Sequence, residues 1–139
     1  MKIKILFIIF LLFISLRALA DAYVPEFDKM QTLRCDISEV IYNADNTVAT
    51  RNNYFRVIRV DDENSKIYVQ KEPVYKMKTI DSSLVEFEMQ SMTDDFIIMS
   101  EISINRQTGQ YSATSVIDYD NSVFESRVGK STGVCKIIN

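Results

Sequence analysis

Apolar and polar residues alternate along most of the chain after residue 20, which is the pattern of strands with one buried face. In the first clear example, Leu33, Cys35 and Ile37 share one face. Turn-forming residues separate such runs at spacings of roughly 8–12 residues. One short helical turn is expected within residues 22–31, and the rest of the chain predicts strands.

The number and spacing of the runs predict an all-β fold. The connections are too short for crossover helices, so neighbouring strands are expected to be antiparallel. The sequence therefore predicts an up-and-down barrel of about eight strands, lipocalin- or avidin-like in architecture, with a sandwich as the alternative. A phase shift at residues 40–42 predicts a β-bulge, and Gly129 and Gly133 predict a loop over residues 129–133. Strands are predicted at residues 33–37, 54–60, 66–71, 74–80, 84–90, 96–104, 111–117, 122–128 and 134–138.

Residues 1–20 have the pattern of a secretory signal peptide. Lys2 and Lys4 precede an apolar stretch of 14 residues, and Ala18 and Ala20 are the small residues expected before cleavage at Asp21. The apolar stretch is shorter than the roughly 20 residues of a membrane-spanning helix. We therefore expect a periplasmic or secreted protein with residues 21–139 as one domain and no transmembrane segment in the mature chain. The alternative interpretation of residues 1–20 is an uncleaved N-terminal anchor.

Charge and composition exclude several functions. Removing residues 1–20 takes three of the 16 basic side chains and none of the 19 acidic ones, which changes the net charge from −3 to −6. Such a chain lacks the positive surface that nucleic acids require. The sequence has no His, so neither a Ser-His nor a Cys-His pair can form, and the commonest metal ligand is absent. No cofactor motif is present, and we predict neither a bound metal nor a cofactor.

Cys35 and Cys135 are the only cysteines in the chain. An even number of cysteines in an exported protein predicts a disulfide, and two cysteines allow a single pairing. Neither cysteine has the local motif of a redox-active thiol, so a structural bridge is the favoured interpretation. Bridged α-carbons lie within about 7 Å of each other, so the first and last strands must be neighbours.

Residues 105–109 predict a hairpin turn. The Asn105 side chain can bind its own downstream backbone, and Gly109 can adopt the left-handed conformation that such a loop needs. Arg106, between them, is either part of the turn or a residue that binds an anion or a partner.

A segment around this turn resembles one in small exported proteins of proteobacteria. Those proteins have an Ile-Asn/Asp-Arg-x-Thr-Gly turn, here Ile104 to Gly109, and a terminal Gly-x-Cys, here Gly133 to Cys135. The resemblance implies an exported β-protein and carries no activity with it.

Two groups of carboxylates could support chemistry. Glu86 and Glu88 share one strand face, as a pair of glycosidase carboxylates could, but their alternation with apolar residues is typical of a solvated sheet face. The runs 61–64 and 118–121 are rich in oxygen ligands for Ca²⁺, yet neither matches an EF-hand, and acidic hairpin loops are common. We therefore predict no catalytic residue.

The sequence predicts a non-enzymatic binding module whose specificity stays open. The leading hypothesis is a small apolar ligand held in the mouth of the barrel. The alternative is an envelope protein-interaction or inhibitor module that acts through loops and a sheet edge.

Overall fold

The computed structural model describes residues 25–120 and 125–138. The predicted signal peptide, residues 1–20, and the predicted cleavage point lie outside the described residues. A 3-10 turn at Phe27–Lys29 confirms the short helical turn and is followed by nine strands. They are β1 Gln31–Tyr42, β2 Val48–Asp61, β3 Lys66–Val69, β4 Glu72–Pro73, β5 Lys76–Ile80, β6 Leu84–Met92, β7 Phe96–Asn105, β8 Gln110–Tyr119 and β9 Arg127–Ile137.

All nine strands belong to one antiparallel sheet with the order β4-β3-β2-β1-β9-β8-β7-β6-β5. Strands that are consecutive in the chain are neighbours, except β4 and β5, which lie at the two edges. Only Val74 and Tyr75 connect these edges, so the chain holds Pro73 and Lys76 within about 11 Å of each other. The sheet is therefore strongly curled, and the predicted all-β, up-and-down antiparallel fold is confirmed.

Most of the buried side chains lie on the concave face of the curled sheet. Tyr111 and Phe87 are the largest that are fully buried. Strands from both halves of the sheet contribute to one core cluster, which means that the sheet folds back on itself. Its members are Leu33, Cys35, Ile37, Ile58, Val60, Ile67, Val69, Val85, Phe87, Ile102, Ile104, Tyr111 and Cys135.

Small residues line the concave face of β7, β8 and β9. Ser100, Ser115 and Ser131 are buried, and the hydroxyls of Ser100 and Ser115 lie 2.8 Å apart. Ser131 donates to Oε1 of Glu39 at 3.4 Å. The curled sheet has two facing halves, which we call its walls. Small side chains on one wall leave room for the opposite wall, so the two walls approach closely and buried side chains fill the space between them.

The disulfide joins β1 to β9. Cys35 and Cys135 are register partners with their α-carbons 3.8 Å apart, which confirms both the bridge and the adjacency of the first and last strands. Gly133 lies one row away from the bridge, and a Cβ added to it would overlap the carbonyl oxygen of Asp36. Glycine is therefore required at this close approach of β1 and β9.

The predicted loop over residues 129–133 is wrong, because these residues lie within β9. In the sequence Gly129 and Gly133 indicate a turn. In the structure both lie in a strand, at positions where a side chain would collide with a neighbouring strand or fill the interior. The bulge predicted at residues 40–42 is confirmed by a register shift between Ile41 and Tyr42. Strand pairing continues past the bulge to Tyr42 and Val48, so β2 begins at Val48 instead of at the predicted residue 54.

Candidate interaction site at the open side of the sheet

The sheet is open on one side at the end that holds the β1–β2 turn. β2 pairs with β3 only at residues 58–61, and β6 pairs with β5 only up to Glu88. Within the described residues, 50–56 of β2 and 89–92 of β6 therefore have no strand beside them on this side. We call the gap between these two segments the lateral opening.

The free edge of β2 presents unpaired backbone groups to the lateral opening. The amide of Gln70 donates to the carbonyl of Val57 at 2.7 Å, which shows that the backbone groups of Val57 point away from β1. In an antiparallel strand this direction recurs at every second residue. Phe55, Asn53 and Arg51 thus point their N–H and C=O groups outward, and no backbone group among the described residues pairs with them.

Large apolar side chains are exposed on the strands that border the opening. On β2, Phe55 is 55% exposed and Val48 is 45% exposed. On the opposite border Met92 of β6 is exposed, and so are Met77 on the neighbouring β5 and Tyr75 in the connection between β4 and β5. A groove of about 420 Å³ continues from the β2 edge along the convex face. Its lining consists of Phe55, Val57, Arg59, Gln70, Lys71 and Glu72.

β2 is positively charged along its whole length. It carries Arg51, Arg56 and Arg59, and its single acidic residue, Asp61, stands at its end. Among the described residues, no carboxylate lies within 4.0 Å of any of these three guanidinium groups. By contrast, Lys78 on β5 is bound by two carboxylates, Glu88 at 3.0 Å and Glu101 at 2.9 Å.

Arg56 is half-buried on the concave side of the β2 edge. Its Nη1 donates to the hydroxyl of Tyr111 at 3.3 Å and lies 3.7 Å from the sulfur of Met89. Its guanidinium carbon is 5.2 Å from the ring centre of Tyr54. The contact between Arg56 and Met89 spans the lateral opening with side chains, beyond the point where strand pairing ends on both borders.

Burial raises the pKa of Tyr111 to about 12, although the nearby Arg56 acts in the opposite direction. Tyr111 is therefore neutral at ordinary pH, and its hydroxyl does not neutralise the charge of Arg56.

The predicted turn residues lie at the opposite end of the sheet from the lateral opening. The side-chain oxygen of Asn105 accepts from the amides of Gln107 at 3.0 Å and Thr108 at 2.9 Å. Gly109 has a φ of 74°, and a Cβ there would overlap the carbonyl oxygen of Cys135. The turn thus packs directly against the strand that carries the disulfide.

Arg106 connects three loops at this end. Its Nη1 and Nη2 donate to the two carboxylate oxygens of Asp62 at 2.6 and 2.7 Å. Nη1 also donates to the carbonyl of Asp81 at 2.8 Å, and Nη2 donates to the side chain of Gln31 at 2.8 Å. Hydrogen bonds to Asp62 raise the pKa of Arg106. The guanidinium group is thus occupied inside the molecule.

Several of the carboxylates singled out in the sequence have internal partners. Glu86 accepts from Thr79 at 3.1 Å, and Glu88 pairs with Lys78 on the convex face. Asp61 accepts from the backbone amide of Asn64 at 3.0 Å. Of the run 118–121, Asn121 lies outside the described residues, and Asp118 accepts from Ser126.

A cavity of about 520 Å³ opens near the β2–β3 loop, at the Arg106 end. Its lining is mostly polar and acidic, so an apolar ligand would find few contacts there. The lining residues are Glu26, Lys29, Met30, Gln31, Val60, Asp61, Asp62, Glu63 and Asn64.

Sequence reasoning missed the free edge of β2. Residues 48–53 lack a regular apolar alternation, so their strand was not predicted. A usable signal was present, because the three arginines between Val48 and Val60 occur without any acidic residue in a chain that is acidic overall.

Comparisons with protein-family models, with curated proteins and with solved structures each find no match. Among the residues that the structure describes, no helix is long and apolar enough to cross a membrane. The disulfide is compatible with an exported, non-cytoplasmic protein.

Proposed function

We propose that this protein is an exported, non-enzymatic binding module that takes an extended segment of a partner protein onto the free edge of β2. The observation that carries the proposal is the row of unpaired backbone groups at Arg51, Asn53 and Phe55. An incoming strand can pair with these groups as an additional strand of the sheet.

The surroundings of the edge support this binding mode. Natural sheets usually protect a long edge with a covering loop, a proline or inward-pointing charges, because an open edge attracts other strands. Here the edge carries neither a proline nor a covering strand within the described residues, and the Phe55 side chain beside it is exposed. Arg56 is the one inward-pointing charge of residues 50–56, and it leaves the outward backbone groups of Arg51, Asn53 and Phe55 uncovered. In such complexes the backbone supplies affinity and the side-chain pockets supply specificity.

A small apolar ligand inside the sheet is the second candidate. We place it second because side chains occupy the concave interior, where Phe87 and Tyr111 are fully buried. A hollow barrel would instead need small or withdrawn side chains on both walls.

The test combines peptide selection with amide mapping. Extended peptides selected from a random library against the oxidised protein should protect the amides of Arg51, Asn53 and Phe55 from hydrogen exchange in NMR spectra. Asn53→Pro removes one outward donor, and a proline is tolerated at an edge, so this variant should fold and lose binding. Asn53→Ala keeps the backbone donor and serves as the matched control.

Selected peptides that protect other residues, or that bind the Asn53→Pro variant as tightly as the native protein, would contradict the proposal.

A further inference from the structure

We infer that the segment recognised by β2 is acidic and carries two carboxylates five positions apart, one for Arg51 and one for Arg56. This inference rests on the proposed function of the β2 edge and adds the chemistry of the partner. It depends on the charge of the strand and on the faces that its side chains occupy.

Charge favours an acidic partner. Arg51 and Arg56 border the free edge, and no carboxylate among the described residues lies within 4.0 Å of either. The unpaired segment of β2, residues 50–56, contains both arginines and no acidic side chain. A guanidinium group recognises a carboxylate through two parallel hydrogen bonds, and this pairing is stronger where water is partly excluded, as it is around Arg56.

The alternation of side chains sets the spacing. Arg56 is the register partner of Cys35 and faces the concave side, where it reaches Tyr111. Arg51 is five positions away, and an odd separation places it on the convex face. A strand beside β2 alternates in the same way, so carboxylates at positions i and i+5 meet the two arginines in either strand direction.

Phe55 adds a second requirement. It shares the convex face with Arg51 and is exposed, with the guanidinium of Arg34 4.6 Å from its ring centre. The position of the partner opposite Phe55 neighbours the carboxylate that meets Arg56. An apolar residue there would cover the ring and the adjoining groove, so the expected segment combines two acidic positions with β-branched residues between them.

A second copy of this chain fits the edge poorly. Pairing β2 with β2 of another copy would place two sets of three arginines in one two-stranded unit, whose only acidic residues would be the buried Asp61 side chains at its ends. Like charges at such short distance destabilise strand pairing. A heterologous acidic segment avoids this repulsion.

The test uses a labelled synthetic peptide of eight residues, made of threonine and valine with glutamate at its second and seventh positions. The matched peptide has glutamine at both positions. Fluorescence anisotropy should show at least roughly tenfold tighter binding of the glutamate peptide at low salt, and the difference should shrink as salt screens the charges. Arg51→Gln and Arg56→Gln should each reduce this preference several-fold, whereas Lys136→Gln on β9 should not.

Arg51 is exposed, so its variant separates recognition from folding even if the Arg56 variant is destabilised. Equal binding of both peptides, abolished by Asn53→Pro, would overturn the acidic preference and leave the β2 edge as the binding site. Absence of binding by both peptides, with no protection at Arg51, Asn53 and Phe55 by any selected peptide, would overturn the proposed function as well. A dimer that Asn53→Pro dissociates in sedimentation experiments would make a second copy the occupant and would also overturn the inference.

Discussion

The guanidinium group of Arg106 holds the carboxylate of Asp62 with two hydrogen bonds, of 2.6 and 2.7 Å, across 44 positions of sequence. Asp62 follows β2, and Arg106 follows β7, so the pair joins the two halves of the curled sheet at one end. No backbone ladder connects those two strands. The pair therefore supplies a link between the walls that the strand pairing does not provide.

Replacing Arg106 by glutamine should lower the free energy of unfolding by about 1–3 kcal/mol. The Arg106 side chain is only 11% exposed, and its hydrogen bonds to the carbonyl of Asp81 and the side chain of Gln31 are lost together with the pair to Asp62. Urea unfolding followed by circular dichroism measures the change. Lys29→Gln is the control, since it breaks an ion pair between exposed side chains near the same end of the sheet and should cost much less. Equal losses in the two variants would show that Arg106 does not link the walls.

Removing the disulfide should destabilise the protein by up to about 4–5 kcal/mol, because the bridge closes a loop with a sequence separation of 100 residues. The variant with both Cys35→Ala and Cys135→Ala should unfold at a lower urea concentration than the oxidised native protein. Reduction of the native protein should produce a shift of similar size. If the oxidised and reduced forms unfold at the same midpoint, the unfolded chain does not gain the expected freedom.

Adding a methyl group at Gly109 should destabilise the fold by more than about 2 kcal/mol, since the backbone there has a φ of 74° and the new Cβ would meet the carbonyl of Cys135. Gly133→Ala should be damaging as well, because its Cβ would overlap the carbonyl of Asp36. Gly129→Ala is the matched comparison. Its Cβ would lie 3.4 Å from the side chain of Ser115, so a small adjustment suffices. Thermal unfolding ranks the three variants, and a Gly129 variant that is the least stable would contradict this order.

Alkaline pH should destabilise the protein through Tyr111. Burial raises its pKa to about 12, whereas an unfolded tyrosine ionises near pH 10, so the unfolded chain releases this proton first. The stabilisation is complete below about pH 10 and is lost as the pH rises through about 12; it amounts to about 2–3 kcal/mol. Unfolding midpoints at a series of alkaline pH values should fall more steeply for the native protein than for Tyr111→Phe. Parallel curves would mean that Tyr111 ionises freely in the folded state.

The strand pattern could be predicted because period-two alternation records which face is buried. The series Leu33, Cys35 and Ile37 identified the buried face of β1, and the cysteine pairing placed β1 beside β9. Gly129 and Gly133 were misleading, because a glycine that permits close strand contact looks the same in sequence as a glycine that ends a strand.

The lateral opening could not be predicted, since it depends on where neighbouring strands end. The sequence shows that β2 contains Arg51 and Arg56, but only the register with β3 shows that both lie on an unpaired edge. Arg106 was similarly ambiguous. Its partner Asp62 is distant in the chain, and the contact exists only because the sheet curls.

The peptide connection at Val74 and Tyr75 is not the only link between the two groups of strands that it joins. It separates β1–β4 from β5–β9, and those two groups share the β1–β9 ladder, the bridge between Cys35 and Cys135, and the pair formed by Arg106 and Asp62. A protease that cuts between Val74 and Tyr75 would therefore leave two polypeptides still bound as one particle. They would migrate together on a denaturing gel until a reductant parted them.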